Sequence, residues 1–345
     1  MSRSRIGRYC RRKSRVVLLS GGVVVAALGL AFMPGDDSSE SASPGIEPRF
    51  LTYDEAVRAG FKTVIDPDLP YCPPGTADGY TSEEELAEAI KGKEDQPAVC
   101  QFDPHAATYA IDVPARGGQP AKSEERALLH SNAYHFVGWM RDVVTYHGVR
   151  GSYQVKNPNV NHGPPSQLGE HVLGRVEAGS AAGNYVEAGW GEFSYYPDQR
   201  IAWACYNGNQ CQDYLSQYSL CDNCTYPWRV FHCGTPGQNL TCAEVFYSGS
   251  WRRLATFTSM RCTNSNSTPN CRIANVVEIF STDSTPHPSF GGGGEVHSDG
   301  QLQASPGSWS SWSTAHPPTN FYAGSPYIRQ DLALYTSFKA CQTVC

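Results

Sequence analysis

Residues Asn184 to Tyr206 read NYVEAGWGEFSYYPDQRIAWACY. The two ends of this stretch, Asn184 to Trp190 and Arg200 to Tyr206, are short runs of β-branched and aromatic residues, and turn-favouring residues separate them. Similar runs occur upstream at Tyr134 to Trp139 and Val149 to Val155. Downstream they recur at Trp228 to His232, Val245 to Tyr247, Arg253 to Phe257 and Ile273 to Phe280. Strands in series without helices between them predict an all-β, antiparallel β-sandwich. The 33 glycines, 24 prolines and 19 tyrosines suit such a turn-rich, strand-rich chain. No internal repeat is evident, which weighs against propellers and solenoids. Ser305 to Asn320 reads as a Ser/Pro/Trp loop and Ile328 to Phe338 as a final strand.

Ahead of the strands lies a small module with two helical patterns. Thr52-Tyr53-Asp54-Glu55 is a capping-box pattern, and Gly60 closes that short helix. A second helix starts at Thr81 or Ser82, with Glu83, Glu84 and Glu85 at its positive end and Gly92 past its last turn. Cys72-Pro73-Pro74-Gly75-Thr76 between them reads as a rigid turn. Pro114 to Arg126 is polar and without periodicity, and marks a boundary. The expected division is residues 1–33 as a signal peptide or anchor, 34–48 as a tether, 49–118 as the N-terminal module and 119–345 as the sandwich.

Seven of the 27 Lys and Arg residues fall in the first fifteen positions, so the rest of the chain holds 20 bases against 33 acids. So acidic a body excludes a nucleic-acid partner. Arg3 to Arg15, the apolar run Val16 to Met33 and the break at Pro34-Gly35 form an export signal. It is either cleaved after Ala31 or retained as an anchor with its basic end inside, and that anchor is the one membrane contact expected. The mature chain is expected outside the cell, as a monomer.

Twelve of the 13 cysteines follow the apolar run. An even number in an oxidising compartment points to disulfides. Sequence proximity suggests Cys205/Cys211, Cys221/Cys224, Cys233/Cys242, Cys262/Cys271 and Cys341/Cys345, with Cys72/Cys100 set apart. Zinc binding or redox exchange at Cys221 and Cys224 is the rival, but no second matching pair and no strand-to-helix setting accompany them.

Several chemistries lack their residues. HExxH is absent, and so is a GxSxG elbow; Gly291 to Gly294 is a glycine run without the Lys of a phosphate loop. No metal and no cofactor is expected. Two carboxylates remain: Glu187, in a strand-like segment beside small residues, and Glu295, just after four glycines. Two such groups can divide labour, one protonated acid beside one ionised base. The ordinary alternative is one exposed strand glutamate and one solvated loop glutamate. Gln167 is a donor for a developing oxyanion or a turn amide. Trp190 floors a subsite or packs in a core; His130 and His135 are acid/base partners or packed strand histidines. Trp309 and Trp312 bind substrate or staple a loop, and Asn223, Asn239 and Asn266 begin glycosylation sequons.

The chain resembles the neprosin family of glutamic peptidases. The matching pieces run in order: CPPGT (Cys72 to Thr76), His130, GVRGSYQVKNPNV (Gly148 to Val160), Ser166-Gln167, NYVEAGW (Asn184 to Trp190), Cys205-Tyr206-Asn207 with Cys211, and GGGEV (Gly292 to Val296). The resemblance implies a β-sandwich with a cleft on a concave face, an N-terminal activation segment that is removed, and endopeptidase action on proteins or peptides after proline. It maps the catalytic pair onto Glu187 and Glu295, which should then face each other closely enough to share a water. Gly292 stands where the family usually has Trp, and Leu220 to Cys271 carries extra cysteines, so the substrate wall departs from the family pattern. A two-carboxylate glycoside hydrolase and an exported carbohydrate- or surface-binding sandwich are the competing classes.

Overall fold

A computed structural model describes residues 49–345 apart from 77–78, 112–132, 143–146, 161–170, 181–183, 195, 208–209, 236–237, 259–270, 282–289, 291–293, 306, 315–316, 319, 324–325 and 343–344. The N-terminal part holds β1 (Arg49–Leu51), α1 (Tyr53–Arg58), β2 (Thr63–Val64), β3 (Gly75–Thr76), α2 (Glu83–Ile90) and β4 (Thr108–Ile111). Then follow β5 (Ala133–Asp142), β6 (Gly148–Gln154), β7 (His171–Ser180), β8 (Asn184–Phe193), β9 (Tyr196–Tyr206) and β10 (Gln210–Ser219). The next four are β11 (Thr225–His232), β12 (Leu240–Tyr247), β13 (Ser250–Thr258) and β14 (Cys271–Ser281). Last come β15 (Glu295–Ser305), β16 (Ser308–Ser311), β17 (Asn320–Ala323), β18 (Tyr327–Ala333) and β19 (Ser337–Gln342).

These strands form two sheets, antiparallel except where β3 runs parallel to β10, and the chain is an all-β sandwich. The first sheet runs β1-β4-β10-β9-β8-β7-β14-β5-β17. The second runs β18-β19-β15-β6-β11-β12-β13-β2, with β16 on β15. Each central strand turns alternate residues toward the facing sheet. Val186, Ala188 and Trp190 of β8 thus pack in one core with Tyr153 of β6, Trp228 of β11 and Val245 of β12. Their indole and phenol rings are fully buried, and each contributes on the order of 1.5–3 kcal/mol or more by leaving water. The other side of the first sheet is also buried, with Leu173, Phe193, Ile201 and Trp203 forming a second apolar cluster.

Both helices form where their caps direct. Thr52 and Glu55 make the reciprocal capping box, and Gly60 follows at a positive φ of 87°. Ser82 caps α2, and Gly92 lies past its end at φ 72°. The segment around them is stitched into the sandwich. β1 and β4 extend the first sheet at β10, β3 also joins β10, and β2 pairs with β13 of the second sheet. Arg229 donates from Nη1 to the Glu94 carbonyl at 2.8 Å and from Nη2 to the Gln96 carbonyl at 2.7 Å. Trp251 Nε1 donates to the Lys93 carbonyl at 2.9 Å.

Three expectations need correction. Gly75 and Thr76, read as part of a turn, pair with Tyr218 and Ser219, because the bend of the two prolines brings the chain alongside β10. The Ser305 to Asn320 loop contains β16, held by four register partners on β15. Ile328 to Phe338 is a hairpin rather than one strand: Tyr335, at φ 59°, turns the chain so that β18 and β19 pair. The Pro114 to Arg126 boundary and the apolar run Val16 to Met33 lie outside the described residues. Within those residues no helix is long and apolar enough to cross a membrane.

Candidate functional site

The register of the first sheet places Glu187 of β8 directly opposite Glu177 of β7 and Cys205 of β9. Directly opposed residues share a side, so Glu187, Glu177 and Arg175 all stand on the side turned away from the second sheet. Glu278 of β14 and His171 of β7 stand on that side too. Arg175 Nη1 donates to Glu177 Oε2 at 2.7 Å and to Glu187 Oε2. Its Nη2 is 3.0 Å from Glu278 Oε2, and Glu278 Oε1 is 3.1 Å from His171 Nε2. All five side chains are buried. Burial pushes the Glu187 carboxyl well up; Arg175 opposes this, and the like charges of Glu177 and Glu278 add to it. Glu187 Oε1 has no hydrogen-bond partner among the described residues.

Glu295 opens β15 and is fully buried in the space between the sheets. Its Oε1 accepts from Trp190 Nε1 at 3.0 Å. Burial drives this carboxyl well above its usual range, against the pull of the Trp190 hydrogen bond and the Lys156 charge. The approach needs bare backbone on β7: a Cβ at Gly174 would collide with Glu295 Oε1 and Trp190 Nε1. Beside it, the ring nitrogens of His297 and the amide atoms of Asn275 are buried and unpartnered among the described residues. Burial takes the His297 imidazole down to about 3, so it is neutral.

The two glutamates are therefore not face to face. Positions 187 and 190 are three apart on a regular strand, so their side chains point to opposite sides of β8, and Glu295 meets the Trp190 side. Each is buried, contrary to the solvated alternative, but each has its own partner.

Trp190 sits in the inter-sheet core, as does Trp312, while Trp309 stacks under the Arg150 guanidinium at 5.3 Å. His135 lies against the Tyr327 ring at 5.2 Å. Gln167, His130, Asn266 and Gly292 lie outside the described residues. Among the described residues five disulfides form: Cys72–Cys100, Cys205–Cys211, Cys221–Cys224, Cys233–Cys242 and Cys341–Cys345. Cys262, the expected partner of Cys271, is outside the described residues. Among the described residues no cluster of His, Cys, Asp and Glu is arranged to hold a metal ion.

Sequence reading missed Arg175, Glu177, Glu278 and His171. A signal was available in β7: His171, Leu173, Arg175 and Glu177 alternate with Val172, Gly174 and Val176, a period of two with the charges on one side.

Fold and site together define an all-β sandwich with a dry carboxyl–guanidinium cluster on one sheet and a separate buried glutamate between the sheets. No family model and no curated protein matches the chain. Among solved structures it is similar to scytalido-glutamic peptidase with a peptide-based transition state analogue, at 13% identity over 61% of this chain and 100% of that one, TM-score 0.39. SCP-B, a member of the Eqolisin family of peptidases in a complex with the tripeptide Ala-Ile-His, is 10% identical over 61% and 100%, TM-score 0.38. The PL-14 alginate lyase from Aplysia kurodai is 8% identical over 61% and 99%, TM-score 0.20. At such scores the chemistry of the site rests on its own residues.

Proposed function

We propose that the chain is an exported endopeptidase of the glutamic type, hydrolysing peptide bonds at acid pH, with a preference for cleavage after proline. The observation that carries this reading is Glu187: a motif carboxyl, buried, driven toward its protonated form, with one oxygen left unpartnered. Hydrolysis needs a carboxylate to take a proton from water as the oxygen bonds to the carbonyl carbon. It also needs a carboxylic acid to protonate the amine as the C–N bond breaks. Among the three carboxyls around Arg175 the guanidinium favours an ionised form while the like charges favour a protonated one, so that side of the sheet supplies the base. Glu295, also kept protonated by burial, is the second carboxyl that the motif resemblance supplies. The five disulfides suit an oxidising compartment and thus export.

The placement of Glu187 and Glu295 on opposite sides of β8, each tied to its own partner, favours a second reading. In it both glutamates are structural and the sandwich is an exported binding module. Digestion of proline-containing peptides between pH 2 and 8, with mapping of the cuts, separates the two when repeated with Glu187→Gln and Glu295→Gln. Equal loss in both assigns joint action. Loss in Glu187→Gln alone assigns the chemistry to the outward side of the first sheet. No cleavage by the wild type assigns the binding module.

A further inference from the structure

We infer that Arg175 is the positioning residue of Glu187, and that Glu278, braced by His171, holds the Arg175 fork in place. The inference rests on the reading of Glu187 as a working carboxyl. One guanidinium serves three carboxyls: Nη1 reaches Glu177 and Glu187, and Nη2 reaches Glu278. Glu278 spends its other oxygen on His171 Nε2. The fork is hydrogen-bonded through Nη1 and ion-paired through Nη2, and Glu187 takes its orientation from it. Its second oxygen, Oε1, stays unpartnered among the described residues, where a reacting water or carbonyl needs it.

The charge balance gives the arrangement its function. The titratable and charged groups on this side are His171, Arg175 and Glu177 of β7, Tyr185 of β8, Glu278 and Arg272 of β14, and Asp213 two strands away on β10. Arg175, Glu187 and Glu278 are wholly buried, and Glu177 nearly so. Three ionised carboxylates around one guanidinium would leave uncompensated charge in a dry setting, so the cluster retains a proton. How strongly Glu187 holds that proton depends on how Arg175 divides itself between Glu187 and Glu278. A lysine would keep the charge but could not bridge both, since it lacks the planar fork.

Two conservative variants of the full chain move this balance in opposite directions. Glu278→Gln removes a like charge and frees the fork for Glu187. The limb of the kcat/KM profile that titrates Glu187 should shift to lower pH by roughly one unit. Arg175→Lys weakens the hold on Glu187, so the same limb should shift to higher pH, with kcat down roughly tenfold and KM little changed. In wild-type protein, the infrared band of the protonated carboxyl that Glu187→Gln removes should titrate together with that limb, a readout that does not depend on either variant folding. Opposed shifts, with the band following the limb, support the inference. Unmoved profiles in folded variants, or a band that titrates away from the limb, overturn it while an inactive Glu187→Gln leaves the peptidase reading standing. Wild-type turnover in Glu187→Gln removes that reading, and the inference with it.

Discussion

Trp190 Nε1 and Glu295 Oε1 are joined at 3.0 Å across the gap between the two sheets, in a place where neither reaches water. A neutral donor thus meets a carboxyl that burial keeps protonated, and the bond links β8 to β15. Trp190→Phe keeps most of the ring volume and removes the donor. Because it leaves the buried Oε1 unsatisfied, the variant should lose about 1–3 kcal/mol of stability, measured by urea unfolding. A loss no larger than the ordinary cost of repacking would mean that the bond is not formed in solution.

The raised carboxyls predict how stability changes with pH. Burial is the chief cause for Glu187, Glu192 and Glu295 alike, and Glu192 is pushed up to about 7. A carboxyl that binds its proton more tightly when folded favours the folded chain below its unfolded pKa of about 4.3. That contribution disappears as pH rises through the folded value. Glu244 works the other way: burial would raise it, but Arg229 and Arg253 outweigh burial and hold it low. Its contribution is present above about pH 4.3 and lost as pH falls through its depressed value. Between pH 5 and 7 the three raised carboxyls lower stability as pH rises, while His297, held down to about 3 by burial, opposes them by gaining a proton only when unfolded; the three outweigh the one, so stability should decline. Unfolding curves of Glu295→Gln should show a flatter decline over that window; an unchanged slope would refute the assignment.

Gly151 offers a test of the second buried polar group. A Cβ there would meet Asn275 Oδ1 at 2.6 Å and would also collide with His297 Nε2. Neither side chain can yield easily between packed sheets, so Gly151→Ala should cost about 1–3 kcal/mol. Gly60 has open space around its Cβ position but a φ of 87°, so Gly60→Ala probes backbone strain alone and serves as the control. Melting temperatures of the two variants should therefore separate collision from strain.

Removing residues before Arg126 should weaken the fold. Such a chain lacks β1 to β4 and the carbonyls of Glu94 and Gln96 that Arg229 uses. A buried guanidinium stripped of its acceptors is costly, as is an unprotected edge at β10. The shortened chain should melt well below the full chain. Equal melting temperatures, together with higher activity in the shortened chain, would favour a removable activation segment instead.

Opening the Cys72–Cys100 bridge, which spans 28 residues of that same segment, should cost about 2–4 kcal/mol. Paired Cys72→Ala and Cys100→Ala substitutions in thermal unfolding would show it.

What could be read in advance follows from the range of each interaction. The caps of α1 and α2 are local, so Thr52, Glu55 and Ser82 announced both helices. β8 was legible because Tyr185 to Trp190 alternates without a break. The burial of the β7 charges was not, since Arg175 and Glu177 look solvated until Glu187 and Glu278, 12 and about 100 residues away, are known to neutralise them. The opposite-side placement of Glu187 and Glu295 depends on which sheet receives β15, a pairing with β6 and β19 that no local pattern encodes. β16 is four residues long and built of serines around one tryptophan, too short for a period to show.

The pairings of the N-terminal strands also bear on the order in which the chain can complete itself. Thr63 finds its partner in Phe257, and Tyr109 finds its partner in Gln212. The first strands made must therefore wait for strands made much later, and contacts of such long separation slow folding. The sheet edges at β10 and β13 stay open until then, and they are the places where a second chain could add itself.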